Sequence, residues 1–345
     1  MASRPAASDG AALAVPVRRW HVDAPVTGMA AVGDRIAVAG GDGALRWFDP
    51  AALPKAAPPA LAGHDGAILT LASGGTQAVT GGDDGWIAAA AAGEAPRRLA
   101  RVARGWVNHL DADPAGGRIT AAAGRSLYVL NPDGSERLRL DDHPSTIAAV
   151  ALTKGGRRVA AAHYGGVTLW SAERRSEPRR LDWKGSHIAA SFSPDGRFLL
   201  TAMQEAALHG WRLADAHDIR MSGYPAKSKS LSWSADGRWM CCSGAEVVTA
   251  WDFSGEGPMG RPPRELCAGD TIAVIVACHP AHGLLAAGFE DGAVRVGQIE
   301  EGGEAELPPA GDDTPVTALA WAADGTTLFA GTEGGDIAAY DLAKK

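Results

Sequence analysis

Several groups of residues in this chain have the types and spacing for chemistry. The acidic pairs Asp83-Asp84 and Glu290-Asp291 set two carboxylates side by side, as a cation site or a general acid/base pair requires. Each pair is followed by Gly and then by a strand-like run, which is the order of a hairpin turn. Cys278-His279-Pro280-Ala281-His282 offers three metal donors in five residues. It also aligns position for position with Phe192-Ser193-Pro194-Asp195-Gly196, a strand running into a turn. Zinc would need further ligands from Cys241, Cys242 or Cys267. The strings Gly40-Gly41-Asp42-Gly43 and Gly81-Gly82-Asp83-Asp84-Gly85 have the composition of phosphate cradles. Such cradles open into a helix, usually with a lysine, and here strand-like residues follow. No Gly-x-Ser-x-Gly elbow exists, and no serine, histidine and acid can be assigned to one site. No catalytic residue, no metal ligand and no cofactor are therefore expected.

The elements that would position these residues repeat. Residues 187–192 read as a strand, Ser193-Pro194-Asp195-Gly196 as a tight turn and residues 197–202 as a second strand. A third strand ends in Leu208-His209-Gly210-Trp211. In the turn, Pro fixes φ, Asp bonds its own backbone and Gly tolerates positive φ. The pattern returns as Trp233-Ser234-Ala235-Asp236-Gly237 leading to Trp251-Asp252, and as Trp321-Ala322-Ala323-Asp324-Gly325 leading to Tyr340-Asp341. Aligned on the aromatic position of the last strand, the repeats fall at Phe48, Ala90, Leu130, Trp170, Trp211, Trp251, Gly297 and Tyr340. That spacing of roughly 40–45 residues is the period of four-stranded propeller blades. No segment sustains a 3.6-residue apolar period, so few helices are expected.

Composition bounds the partners. Of 345 residues 46% are hydrophobic, ample for a large core, and 44 glycines imply many turns. The net charge of −7 argues against bulk electrostatic binding to duplex DNA or an anionic membrane. Cys241, Cys242, Cys267 and Cys278 lack the spacing of a small disulfide domain and read as reduced core residues, hence a cytoplasmic protein. Residues 1–16, rich in Ala, Pro and Ser, are expected to form a flexible tail without a secretory signal; residues 17–343 form the repeat domain. No run of about 18 apolar residues exists to span a membrane.

Across residues 18–342 the chain resembles the WD40-repeat β-propellers. The resemblance rests on Trp251-Asp252, Trp47-Phe48-Asp49, Tyr340-Asp341, the pair Gly63-His64, and the turns Asp42-Gly43, Asp84-Gly85 and Asp291-Gly292. It implies an all-β fold, a single β-propeller of four-stranded blades; the eight repeats imply eight blades, with seven, the family's commoner number, as the alternative. It further implies that the strand at residues 17–22 closes the ring as the outer edge of the last blade. Many members link a histidine, a hydroxyl, an aspartate and a tryptophan within each blade. No repeat here has all four: His64 has Thr80 and Asp84 but Ala90, and His143 has Trp170 but Tyr164 at the turn. Blades held by apolar packing, with few internal polar networks, are expected.

In this family the segments entering the innermost strand and the turns before the last inner strand build one rim. In repeats three to six that rim carries Arg104, Arg125, Lys184, Lys227 and Lys229, with Trp106 and Tyr164 among them. Elsewhere it carries Asp42, Asp65, Asp83, Asp84, Asp270, Glu290, Asp291, Asp312, Asp313 and Glu333; Glu205 and Glu246 interrupt the basic side. Trp86 and Trp106 stand off the repeat's aromatic position, and either tuck into neighbouring blades or anchor an interface. The expected partner-binding set is thus Trp86, Arg104, Trp106, Arg125, Tyr164, Lys184, Lys227 and Lys229, on a face with a basic-aromatic half and an acidic half. The leading expectation is a non-enzymatic scaffold, a monomeric ring binding protein or peptide partners, with neither membrane nor nucleic acid. One alternative is an enzyme with a metal or acidic site at the central channel, where Asn108, His109 and Asp111 are the inner-strand polar residues. The other is a binder of anionic ligands or nucleic acid through the basic half.

Overall fold

A computed structural model describes residues 15–102, 105–113, 115 and 117–343. The first repeat sets the pattern. Val26–Val32, Arg35–Gly40, Ala44–Phe48 and Leu61–Ala62 pair antiparallel in that order. The hairpin between its second and third strands turns at Gly43, whose φ of 77° lies in the left-handed region open to glycine. The Asp42 carboxylate accepts the backbone N–H of Ala44 there at 3.3 Å. Asp84 caps its own turn in the same way, accepting from Trp86 N at 3.0 Å, and Asp291 accepts from Ala293 N at 3.0 Å. Both acidic pairs are hairpin turns, as their following glycines implied.

The second strands of the repeats are buried on both faces. Every residue of Phe198–Met203 is buried, for example. Such a strand must read as a continuous apolar run, since neighbours cover it from either side. Apart from one 3₁₀ turn, Pro50–Ala52, the regular structure among the described residues is strand.

The inner strands close a ring. Val26–Val32 touches Ile68–Ser73, and contact passes through His109–Asp113, Ile147–Leu152 and the second half of Arg179–Phe192. From there it continues through Leu231–Trp233, Ala273–Cys278 and Val316–Trp321, which returns to Val26–Val32. Polar ties stitch the seams between repeats. Ser73 Oγ donates to Ala31 O at 2.7 Å, Leu152 N to Asp111 Oδ2 at 2.7 Å, and Trp321 Nε1 to Ala277 O at 3.0 Å.

The expectation of eight separate blades is corrected. Eight repeats follow one another round the ring but are carried on seven sheets, six of four strands and one of six, so the structure shows seven separate sheets and not eight. The fourth and fifth repeats share the six-stranded sheet through two strands of 14 residues, Arg158–Ser171 and Arg179–Phe192. Where other repeats turn tightly, Tyr164 stays extended and pairs with Ser186. Gly165, Gly166 and Gly185, with φ of 93°, 140° and 135°, let the backbone round this corner without leaving the sheet.

The N-terminal strand closes the ring as expected. Val17–His21 pairs antiparallel with Asp336–Asp341, from Val17 opposite Tyr340 to His21 opposite Asp336, as the outer strand of the last sheet. Its Trp20 is buried, edge-on to Phe48 at 4.8 Å, and donates through Nε1 to Pro54 O at 3.1 Å. The expected flexible tail falls almost wholly outside the described residues.

Polar networks inside the repeats are more numerous than expected. His64 pairs with Asp84 and Thr80, each at 2.9 Å; His187 pairs with Thr201 at 2.7 Å; Trp170 Nε1 donates to His143 Nε2 at 3.1 Å. In the sixth repeat Tyr224 takes the histidine's place: Trp251 Nε1 donates to its hydroxyl at 2.7 Å, with Thr249 at 2.9 Å. Incomplete signatures thus still form pairs and triads, because a buried polar group without a partner is costly.

Candidate interaction face

Strand direction alternates within each sheet. The segments entering the inner strands and the turns between second and third strands therefore lie at one end of the ring. Trp106 stands on the segment before His109–Asp113 and is 62% exposed. Tyr164, at the turn of the fourth repeat, is 57% exposed. Met259, equally exposed, lies between the third and fourth strands of its repeat, at the opposite end. These three are the large hydrophobic side chains left in solvent among the described residues.

Trp106 borders a hollow of about 560 Å³ lined by Asp83, Asp84, Gly85, Arg101, Val102 and Gly105. Trp86 is half-buried beside it. The Arg98 and Arg101 guanidinium groups lie over its ring at 5.2 and 5.7 Å. Cation–π contact with the outer-strand arginines thus holds Trp86, and Trp106 is left as the free aromatic. Sequence reading missed Arg98 and Arg101. The only available signal was register: Trp86 pairs with Arg101 across the third and fourth strands.

The remaining expected residues spread along the rim. Arg125 is exposed and donates through Nε to His143 O at 2.6 Å. Lys184 is exposed and lines a hollow of about 270 Å³ with Trp183, Met203, Glu205 and Arg220. Lys227 is exposed, its Nζ donating to Gln204 Oε1 at 3.2 Å. Lys229 stands at the mouth of the central channel, in a hollow of about 610 Å³ that also takes Glu290 and Glu333. Arg104 lies outside the described residues.

Charge on this face is more finely mixed than two halves. Asp83 and Asp84 share a hollow with Arg101 and Trp106, and Lys229 shares one with two glutamates. Asp84 is largely spoken for. Burial raises its pKa, but hydrogen bonds from His64, Asp65 N and Trp86 N outweigh burial and hold it below the usual carboxylate range. Asp65 pairs with Arg98 at 2.7 Å.

Asp111 and His109, on the third repeat's inner strand, are shaped by burial. Burial pushes the Asp111 carboxyl up to about 6, against hydrogen bonds from Leu152 N and Ala112 N that occupy its oxygens. His109 is held below its ordinary value by burial. His279, in the suspected metal motif, serves its turn: Nδ1 accepts from Ala281 N and His282 N at 3.0 Å, and Nε2 pairs with Gly325 O at 3.1 Å. Among the described residues no group of three or more His, Cys, Asp or Glu is placed to hold a metal. No helix among them is long and apolar enough to cross a membrane.

No protein-family model matches the chain. The crystal structure of the computationally designed Ika8 protein shares the fold, with a TM-score of 0.75 at 15% identity over 93% of this chain and 97% of that one. The small ribosomal subunit protein RACK1y of Oryza sativa subsp. japonica is 29% identical over 167 residues, 44% of this chain and 49% of that protein. The chain thus spans about half the length of this curated relative. A closed ring of antiparallel sheets around a channel is a β-propeller. In its repeat signature and in this relative the chain is similar to the WD40-repeat β-propellers.

Proposed function

We propose that this protein is a non-enzymatic scaffold or adaptor, a monomeric cytoplasmic ring whose rim carrying Trp106 and Tyr164 docks protein or peptide partners. The observation that carries this reading is Trp106, an indole held 62% exposed on a rigid ring beside a concave hollow. Leaving so large an apolar surface in water forfeits about 25 cal/mol per Å², which a partner's surface would recover. Exposed tryptophan and tyrosine beside arginine are the usual anchors of protein interfaces. The relative RACK1y is by name a component of the small ribosomal subunit, and holding a place within an assembly is the kind of role carried over here. Fold by itself is weak evidence of function, so the site must bear the weight.

The test is quantitative capture from native lysate on immobilised wild type, Trp106→Ala, Tyr164→Ala and, as an opposite-face control, Met259→Ser. Losing an anchor costs roughly 2 kcal/mol, so a partner should fall about 30-fold on the Trp106 variant and stay level on the control. Equal capture on all four would refute docking on this rim.

A further inference from the structure

The four cysteines lie in the sixth and seventh repeats, and two of them meet. In the sixth repeat Ser232 and Cys241 are cross-strand partners, and such partners project from the same face of a sheet. Ser232 reaches the next sheet: its Oγ accepts the Cys278 backbone N–H at 2.9 Å, while Cys278 Sγ lies 3.6 Å from Ser232 O. Cys241 therefore lies on the face turned towards Cys278 across the seam, and each thiol shifts the acidity of the other. Both pack in one apolar cluster with Trp239, Val276 and Leu285.

The two sulfurs differ in access and in acidity. Cys241 is fully buried, and Cys278 is partly exposed. The neighbouring Cys241 thiol lowers the Cys278 pKa against an opposing effect of burial, and the nearby Cys278 sulfur, with burial, pushes Cys241 well up. Cys278 thus has the features of an attacking thiol and Cys241 those of a resolving one. Cys242 faces the other way, bonded to Thr249 at 2.9 Å and Tyr224 at 3.2 Å.

We propose that Cys278 and Cys241 are an oxidant-reactive pair that closes into a disulfide between the sixth and seventh repeats, with a peroxide as oxidant. The Cys278 thiolate attacks one peroxide oxygen; the S–O bond forms, the O–O bond breaks and the departing oxygen leaves as water after taking a proton. Cys241 sulfur then attacks Cys278 sulfur. The S–S bond forms as the S–O bond breaks, and the leaving hydroxide takes the Cys241 proton as a second water. Two thiols are oxidised and one peroxide is reduced.

The test uses the full, reduced chain exposed to hydrogen peroxide under native conditions, then denatured, alkylated and peptide-mapped without reduction. Two of the four thiols should be lost to alkylation, with the peptides carrying Cys241 and Cys278 joined and released by dithiothreitol. Cys267→Ser should leave the link in place, and Cys278→Ser should abolish it. Full alkylation of all four thiols, a link between any other pair, or over-oxidation of Cys278 without a link would each overturn the proposal. The map of the unsubstituted chain decides the matter even where a variant does not fold.

Discussion

His209 is fully enclosed, stacked on Trp183 at 3.9 Å, and neither ring nitrogen meets a hydrogen-bond partner among the described residues. Burial pulls its pKa down to about 4, with His187 and Arg220 adding to the fall and Asp218 opposing it. In the unfolded chain it titrates near 6.5. Between those values the unfolded state binds a proton that the fold refuses, so stability is intact above about pH 6.5 and falls as pH drops towards 4. A difference of roughly two and a half pH units corresponds to about 3 kcal/mol. His109, His143, His163, His187 and His279 are also held below their ordinary value, chiefly by burial, and act in the same direction. His209→Leu should therefore remove about 2.5 kcal/mol of the acid sensitivity and leave the rest, measured by urea unfolding at about pH 7.5 and about pH 4.5. If both chains lose stability in parallel, His209 is not the group responsible. Little of this was legible in the sequence. His209 sits two positions before an aromatic landmark, Trp211, yet its burial under Trp183 depends on a neighbouring segment folding over it. Trp106 and Trp86 stand out alike, because both lie off the repeat's aromatic position, but the sequence leaves open which of them packs and which is exposed. Trp86 was not resolved, since its fate rests on arginines brought alongside by cross-strand register.

Among the elements, the N-terminal strand and the shared sheet of the fourth and fifth repeats show what repeats reveal and what they hide. The last repeat lacks an outer strand and the chain begins with an unpaired one, so closure could be inferred by counting. The fusion of two repeats could not, because it hangs on three glycines that extend a corner where a turn was due. Closure carries measurable energy. Val17–His21 covers the edge of Asp336–Asp341, and its Trp20 helps join the last sheet to the first through Phe48 and Pro54. Truncating a buried tryptophan costs about 3–5 kcal/mol, so Trp20→Ala should lower the melting temperature by several degrees. Deleting residues 1–23 should lower it further, since an open sheet edge is left as well. An unchanged melting curve for the deletion would mean that the strand merely lies against a ring already closed without it.

At the scale of the whole ring, net charge and local charge point different ways. The molecule carries −7 overall, yet Arg125, Lys184 and Lys227 project from one end of it, the end that also carries Trp106 and Tyr164. Acidic side chains reach into the same rim at Asp83, Glu290 and Glu333. Such a pattern fixes the orientation of an approaching partner more than the final affinity, because rim charges act over about 10 Å at 0.1 M salt and are screened beyond that. The partner to use is one retained by the wild type and lost by Trp106→Ala. For Arg125→Glu combined with Lys184→Glu, association should slow roughly 10-fold at low ionic strength and converge with wild type as salt rises. Dissociation should change little, since the anchors stay in place. Arg125 also donates to the His143 carbonyl, so an unchanged melting temperature is needed to separate steering from damage to the fold. Equal association rates at low salt would leave the aromatic anchors as the whole of the recognition and the charges as ordinary solvated surface.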